Sequence, residues 1–234
     1  MKDIAIDAER LARRFGPRWA LADVSFQVPR GAVMMVAGRN GSGKSTLFRV
    51  LSTAIRADGG RASVSGFDIG RERQDVRRNV ALLSHSSYLY EALTARENLH
   101  VAADHLGIKR AGIMDLLERV TLGGRADDMV VTFSAGMRKR LSFARILLQD
   151  PSVVMLDEPY GQLDPQGFAL VDDVIRELKA RGVTVLMATH QIERGLRIAD
   201  LALFLEQGRV QSFGRASDAP TTDNRQQTTS QVVR

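Results

Sequence analysis

Hydrophobic positions along the chain fall into short runs split by polar and turn residues, and the runs alternate between two periods. Residues 4–6 and 24–28 are short apolar runs, with turn signals at Gly16-Pro17 and Pro29-Arg30-Gly31, and each predicts a strand. Residues 33–37 are unbroken apolar, the length and character of a strand buried on both faces. Residues 44–55 switch to helical spacing, with Leu47, Val50, Leu51 and Ile55 on one face, and Asp58-Gly59-Gly60 closes the segment. Strand runs return at 62–64 and 80–83. From about residue 88 to 149 the pattern is mainly helical, with helices predicted over 99–106, 113–120 and 134–148, the last capped by Ser134. Strands follow at 153–156, 183–188 and 201–205, with helices between them.

Strands alternating with helices imply an α/β protein with a largely parallel sheet covered on both faces. The helical block at about 88–150 interrupts that alternation and predicts an inserted subdomain. From residue 215 to 234 the chain is rich in Thr, Gln, Asn and Asp with few apolar positions, which predicts a disordered polar tail.

Composition narrows the choice. With 234 residues, 44% hydrophobic and 26% charged, the chain is long and apolar enough to bury a core of its own. It has no cysteine, which excludes disulfides, thiolate metal sites and cysteine nucleophiles. No apolar run approaches the roughly 20 residues of a membrane-spanning helix, and residues 1–10 contain no apolar signal core. The expected place is therefore the cytoplasm, with membrane contact through partners only. The net charge is +6, and the basic residues are 28 Arg and 5 Lys. Such a balance fits a compositional bias of the genome or a basic surface facing nucleotide, nucleic acid or anionic lipid.

Residues 38–46 read Gly-Arg-Asn-Gly-Ser-Gly-Lys-Ser-Thr, a match to the G-x-x-x-x-G-K-[ST] phosphate loop, set between an apolar strand and a helix. Gly38, Gly41 and Gly43 allow the tight backbone turn that brings N–H groups against phosphate oxygens. The helix beginning near Lys44 points its positive end at the same anion. Lys44 is expected to reach the β- and γ-phosphates and the Ser45 hydroxyl to ligate Mg²⁺, while Arg39, Asn40, Ser42 and Thr46 complete the set of candidate nucleotide contacts. Kinases, GTPases and transport ATPases share such a loop.

The run 153–156 ends in Asp157-Glu158. A buried parallel strand delivers its C-terminal end to the ligand crevice. Asp157 is then placed to hold the Mg²⁺ hydration shell, and Glu158 to orient or deprotonate the water attacking the γ-phosphate. The run 183–188 ends in Thr189-His190, at the matching edge of a neighbouring strand, where a histidine can contact the γ-phosphate or the water. His100 and His105 share no helix face and are expected to be ordinary surface residues.

The segment Phe133-Ser134-Ala135-Gly136-Met137-Arg138-Lys139-Arg140 resembles the signature of ATP-binding-cassette ATPases, whose usual form is L-S-G-G-Q before a basic helix. The order of phosphate loop, helical block, signature, Asp-Glu strand, Leu163-Asp164 and His190 resembles that family too, over roughly residues 3–214. The resemblance implies a P-loop NTPase of this type, with an N-terminal antiparallel β subdomain and an inserted helical one. It implies ATP hydrolysis with Mg²⁺, Phe15 stacked on adenine, and Asp164 in a loop coupling two sites. Ser134, Ala135 and Gly136 would then meet the γ-phosphate of ATP held by a second subunit in a head-to-tail homo- or heterodimer. The implied partners are transmembrane permease subunits at the cytoplasmic face of the cell membrane, with no nucleic acid.

Ala135 and Met137 depart from the usual Gly and Gln of the signature. His85 stands where the family usually has a Gln that reaches Mg²⁺ and relays to the membrane subunit. His85, the run Leu93-Thr94-Ala95-Arg96-Glu97-Asn98-Leu99 and the Ser-Ala-Gly signature together are similar to the ATP-binding subunit of the cytochrome c biogenesis haem exporter. Multidrug- and lipid-export cassettes are the competing reading. A soluble cassette ATPase of DNA repair or translation usually carries two cassettes or long insertions, and the insertion here is short. A non-hydrolysing regulatory module fits poorly with intact Lys44, Asp157, Glu158 and His190.

Overall fold

A computed structural model describes residues 3–84 and 88–219. The chain opens with a long antiparallel hairpin, β1 (Ile4–Phe15) and β2 (Arg18–Pro29), turning at Gly16-Pro17. Both strands run well beyond the apolar segments at 4–6 and 24–28. Irregular register between Ala8 and Leu11, and again near Arg13, carries polar residues of β1 through the ladder. β4 (Gly59–Val64) pairs with the other edge of β1 and also holds the extension in place. With β5 (Phe67–Asp68) these form a four-stranded sheet in the order β2-β1-β4-β5.

The second sheet has the order β10-β9-β3-β8-β7-β6, comprising β3 (Val33–Ala37), β6 (Val80–Leu83), β7 (Val153–Asp157), β8 (Thr184–Ala188), β9 (Leu201–Glu206) and β10 (Arg209–Arg215). All neighbours pair in parallel except β9 and β10. Every residue of β3, β7 and β8 is buried, which explains their unbroken apolar sequences. β10 escapes a period-2 reading because most of its residues are exposed and polar; it is an edge strand held by β9.

Among the described residues, two large apolar cores and a small one cover the faces of this sheet. One large core packs α1 (Lys44–Leu51) and the antiparallel sheet against it through residues such as Ile6, Leu11, Phe48 and Met34. The other large core packs α3 (Ala95–Leu106), α4 (Ile113–Arg119), α5 (Ala135–Gln149) and α6 (Pro165–Ala180) through Leu99, Leu117, Phe143 and Ile175. Two short helices, α2 (Arg73–Asn79) and α7 (Ile192–Ile198), complete the set.

α1 stops at Leu51, short of Ile55, because Thr53 turns to positive φ and its carbonyl accepts from Arg73 and Arg77. Ile55 still packs on the core from outside the helix. α3 begins earlier than residue 99: Thr94 and Glu97 form a reciprocal capping box that starts the helix at Ala95. Among the described residues no helix is long and apolar enough to cross a membrane.

Candidate active site

The sheet order decides where the chemistry converges. β8 lies between β3 and β7, so the C-terminal ends of all three open side by side. The glycine loop leaves β3, Glu158 leaves β7, and Thr189-His190 leaves β8.

Gly38, Gly41 and Gly43 all have positive φ. A Cβ on Gly43 would lie 2.4 Å from the Ala20 carbonyl oxygen, and one on Gly38 would lie 2.3 Å from that of Leu205, so neither position admits a side chain. Lys44 is buried, and its ammonium donates to the carbonyls of Gly38 (2.8 Å) and Arg39 (3.2 Å), which holds the charge across the loop. The buried Ser42 Oγ makes no hydrogen bond. No side chain caps α1 and no acid sits in its first turn, so its N–H groups and dipole stay uncompensated toward an anion.

Beside the loop lies a cleft of about 510 Å³ lined by Phe15, Arg18, Asn40, Lys44, Ser45, Thr46, Asp157 and Glu158 among others. Phe15 is 47% exposed at its rim, with the Arg13 guanidinium 4.8 Å from its ring centre. Arg39 and Ser42 line an adjoining hollow with Arg18 and Trp19. Ser45 and Asp157 share the cleft and offer hard oxygen donors, a donor set that suits Mg²⁺, which takes few protein ligands and completes its shell with phosphate and water. Among the described residues no cluster of three or more His, Asp or Glu offers a self-sufficient metal site. His85 lies outside the described residues.

Asp157 is buried at the last position of β7, and Glu158 follows at φ 51° with its N–H donating to the Ala188 carbonyl at 2.8 Å. His190 Nδ1 lies 2.8 Å from Glu158 Oε2. The structure therefore brings Lys44, Ser45, Asp157, Glu158 and His190 to one end of the sheet.

The signature residues do not join them. Ser134, Ala135 and Gly136 line a separate hollow with Met137, Arg140, Gln162, Leu163 and Asp164. Ser134 caps α5, its Oγ accepting from the Met137 N–H at 3.2 Å. Asp164 caps α6, accepting from the Gly167 N–H at 2.7 Å and from Arg140 at 3.1 Å. The Gly167 N–H, first, and the Arg140 charge hold its carboxyl below the usual range. The two groups of residues thus line separate hollows of one chain.

Two site residues escape a reading of the sequence. Arg18 lines the cleft because the β1–β2 hairpin folds over the loop, and no local motif announces that. Lys139 follows the signature by a few residues, and its basic character alone was legible. Burial lowers its pKa, while the charges of Asp157 and Glu158 draw it back up, so α5 presents a half-buried cation to the acid pair.

The family described as ABC transporter matches residues 21–161. The chain belongs to the ABC transporter family. This ABC protein is 41% identical over 222 residues to a daunorubicin resistance ATP-binding protein of Streptomyces coeruleorubidus, covering 93% of the chain and 70% of that relative. It is 34% identical over 218 residues to the Nod factor export ATP-binding protein I of Rhizobium sp. (strain N33), covering 92% of the chain and 72% of that relative. Among solved structures, the ATP-binding subunit of an ABC transporter superposes with a TM-score of 0.85 at 29% identity, over 92% of this chain and 91% of that one. A dimeric ATP-binding cassette in a post-hydrolysis state shares the fold at a TM-score of 0.83 and 21% identity, over 90% and 98% of the two chains.

Proposed function

We propose that this ABC protein is the ATP-hydrolysing subunit of a membrane exporter of small organic molecules, of the sort its drug-resistance and Nod-factor-export relatives are named for. This reading prefers the multidrug alternative to the haem-export expectation. His85 and the Ser-Ala-Gly signature resemble the haem exporter's ATP-binding subunit, yet the relatives above carry drug-resistance and Nod-factor names across nearly the whole chain. The multidrug reading, the competing one at the level of sequence, takes its place.

The observation that carries the hydrolytic part is the convergence of the Lys44 loop, Asp157 and the Glu158–His190 contact at adjacent strand ends. Lys44 and the N-terminal N–H groups of α1 bind the phosphates of ATP, and Phe15 covers the adenine. Ser45 and Asp157 would hold Mg²⁺, which neutralises charge on the phosphate oxygens when bound. Glu158 accepts the proton of the attacking water, and His190, hydrogen-bonded to the same carboxylate, keeps it aimed. Because Ser134, Ala135 and Gly136 face another surface, a second subunit placed head to tail supplies them to the phosphate of its neighbour.

Residues 3–214 act as the ATPase unit and the helical block at 88–150 as its membrane-facing part. There Tyr88 and Tyr90 are exposed and line a hollow with Val101, Leu106 and Arg145, an apolar rim suited to a permease subunit at the cytoplasmic face of the membrane. The test is made in cells lacking this chain and complemented with it. Restored efflux of a fluorescent anthracycline, with unchanged haem loading of c-type cytochromes, supports the reading; the reverse pattern overturns it.

A further inference from the structure

Behind the Glu158 loop lies a polar cluster that the hydrolytic reading does not use. Tyr160 is 1% exposed and its hydroxyl donates to Asp172 Oδ1 of α6 at 2.8 Å. The other carboxylate oxygen of Asp172 accepts from Arg194 of α7 at 2.5 Å. The Arg194 guanidinium also lies over two rings, 5.5 Å from the Tyr160 centroid and 5.1 Å from that of Phe168. Those rings meet edge to face, with centroids 5.7 Å apart.

Core packing alone does not call for this arrangement. Phe at position 160 would fill the same volume, but Asp172 Oδ1 would lose its donor, so the hydroxyl is needed only because the half-buried carboxylate is there. The cluster's position gives it a role. Tyr160 stands two residues after Glu158, separated from it only by the stiff Pro159. Arg194 stands four residues after His190, at the start of α7. Glu158 touches His190, the chain runs from His190 to Arg194, Arg194 holds Asp172, Asp172 holds Tyr160, and the chain returns to Glu158. The links close a ring around the carboxylate, whose residue sits at φ 51°. A ring closed through packed, charge-assisted bonds fixes position better than the single Glu158–His190 bond can.

We infer that Tyr160, acting through Asp172 and Arg194, is a positioning residue that fixes the Glu158 carboxylate against His190 and thereby sets the rate of hydrolysis; this rests on the role proposed above for Glu158. Burial, first, and the bond to Asp172 push the Tyr160 pKa up, so it remains a phenol and a donor throughout the working range.

The test compares steady-state ATPase kinetics of wild type, Tyr160→Phe, Asp172→Asn and the double variant. A packing variant at the far end of α6, Leu178→Val, controls for lost stability. Tyr160→Phe should lower kcat about tenfold with KM within about twofold of wild type, as expected for a misplaced carboxylate. Asp172→Asn should do the same, and the double variant should lose no more than either alone. Leu178→Val should lose melting temperature and keep kcat. The inference is overturned if Tyr160→Phe turns over at the wild-type rate, if the two losses multiply, or if Leu178→Val loses kcat in proportion to its melting temperature. Glu158→Gln separates the two levels of argument. If it is inactive while Tyr160→Phe is normal, only the positioning role fails; if it hydrolyses ATP normally, the role of Glu158 fails and the inference with it.

Discussion

Lys44 is the only buried Lys or Arg among the described residues and belongs to no apolar cluster, so its loss should cost function far more than stability. In Lys44→Ala, ATP affinity and turnover are expected to collapse, while the melting temperature moves little. Nucleotide titration and thermal melting of the same sample check this, and unchanged turnover would remove the phosphate-loop assignment. Glu158→Gln keeps the shape of the carboxylate and removes its basicity. Nucleotide binding should persist and turnover should fall about 10²-fold or more, the usual share of a general base. With hydrolysis blocked, ATP should hold two subunits together, visible as a shift to dimer in size-exclusion chromatography. A variant that stays monomeric with saturating ATP would count against the head-to-tail pair.

Among the elements, α6 offers a pH test because its N-terminus is held by a titrating cap. The Gly167 N–H and Arg140 stabilise ionised Asp164, so its folded pKa lies below the unfolded reference of 3.8. A depressed carboxyl pKa adds stability that is fully present above the unfolded value and is lost as pH falls through the folded one. Wild type should therefore lose melting temperature below about pH 3.8 more steeply than Asp164→Asn, whose amide still caps the helix but does not titrate. Parallel curves for the two proteins would show that the cap's charge does not matter. The elements also differ in how legible they were. β3, β7 and β8 are buried on both faces and announce themselves as apolar runs. β10 and the far half of β1 do not, because their pairing is held by neighbouring strands rather than by their own pattern. The early start of α3 was present in the sequence as Thr94-x-x-Glu97, a local capping signal that hydrophobic spacing alone passes over.

At the scale of the whole molecule, the separation of the signature from the phosphate loop gives the strongest prediction. Lys44→Ala spoils one half-site and Ser134→Arg spoils the other, and each protein alone should be inactive. When the two are mixed, a head-to-tail pair contains one site with both lesions and one with neither. Turnover should therefore reappear on mixing, approaching a fraction of the wild-type rate set by the share of mixed dimers. ATPase activity followed against mixing ratio measures it. A mixture as inactive as its components means that the two half-sites do not complete one another across subunits.

The sequence by itself determined the local chemistry: the glycine spacing of 38–46, the acids at the end of an apolar run, the helix caps and the alternation that makes an α/β sheet. These are short-range facts, since a turn, a cap or a buried strand is specified by the residues within it. The tertiary structure alone decided which of those pieces meet. Strand order sets β8 between β3 and β7 and so brings His190 within 2.8 Å of Glu158. The hairpin folds Arg18 over the loop, α5 turns Lys139 toward the acid pair, and α6 with α7 closes the Tyr160 ring. Each of these joins residues distant in sequence, and their approach is fixed by how the antiparallel sheet and the helices bury the separate faces of the central sheet, which no local pattern encodes.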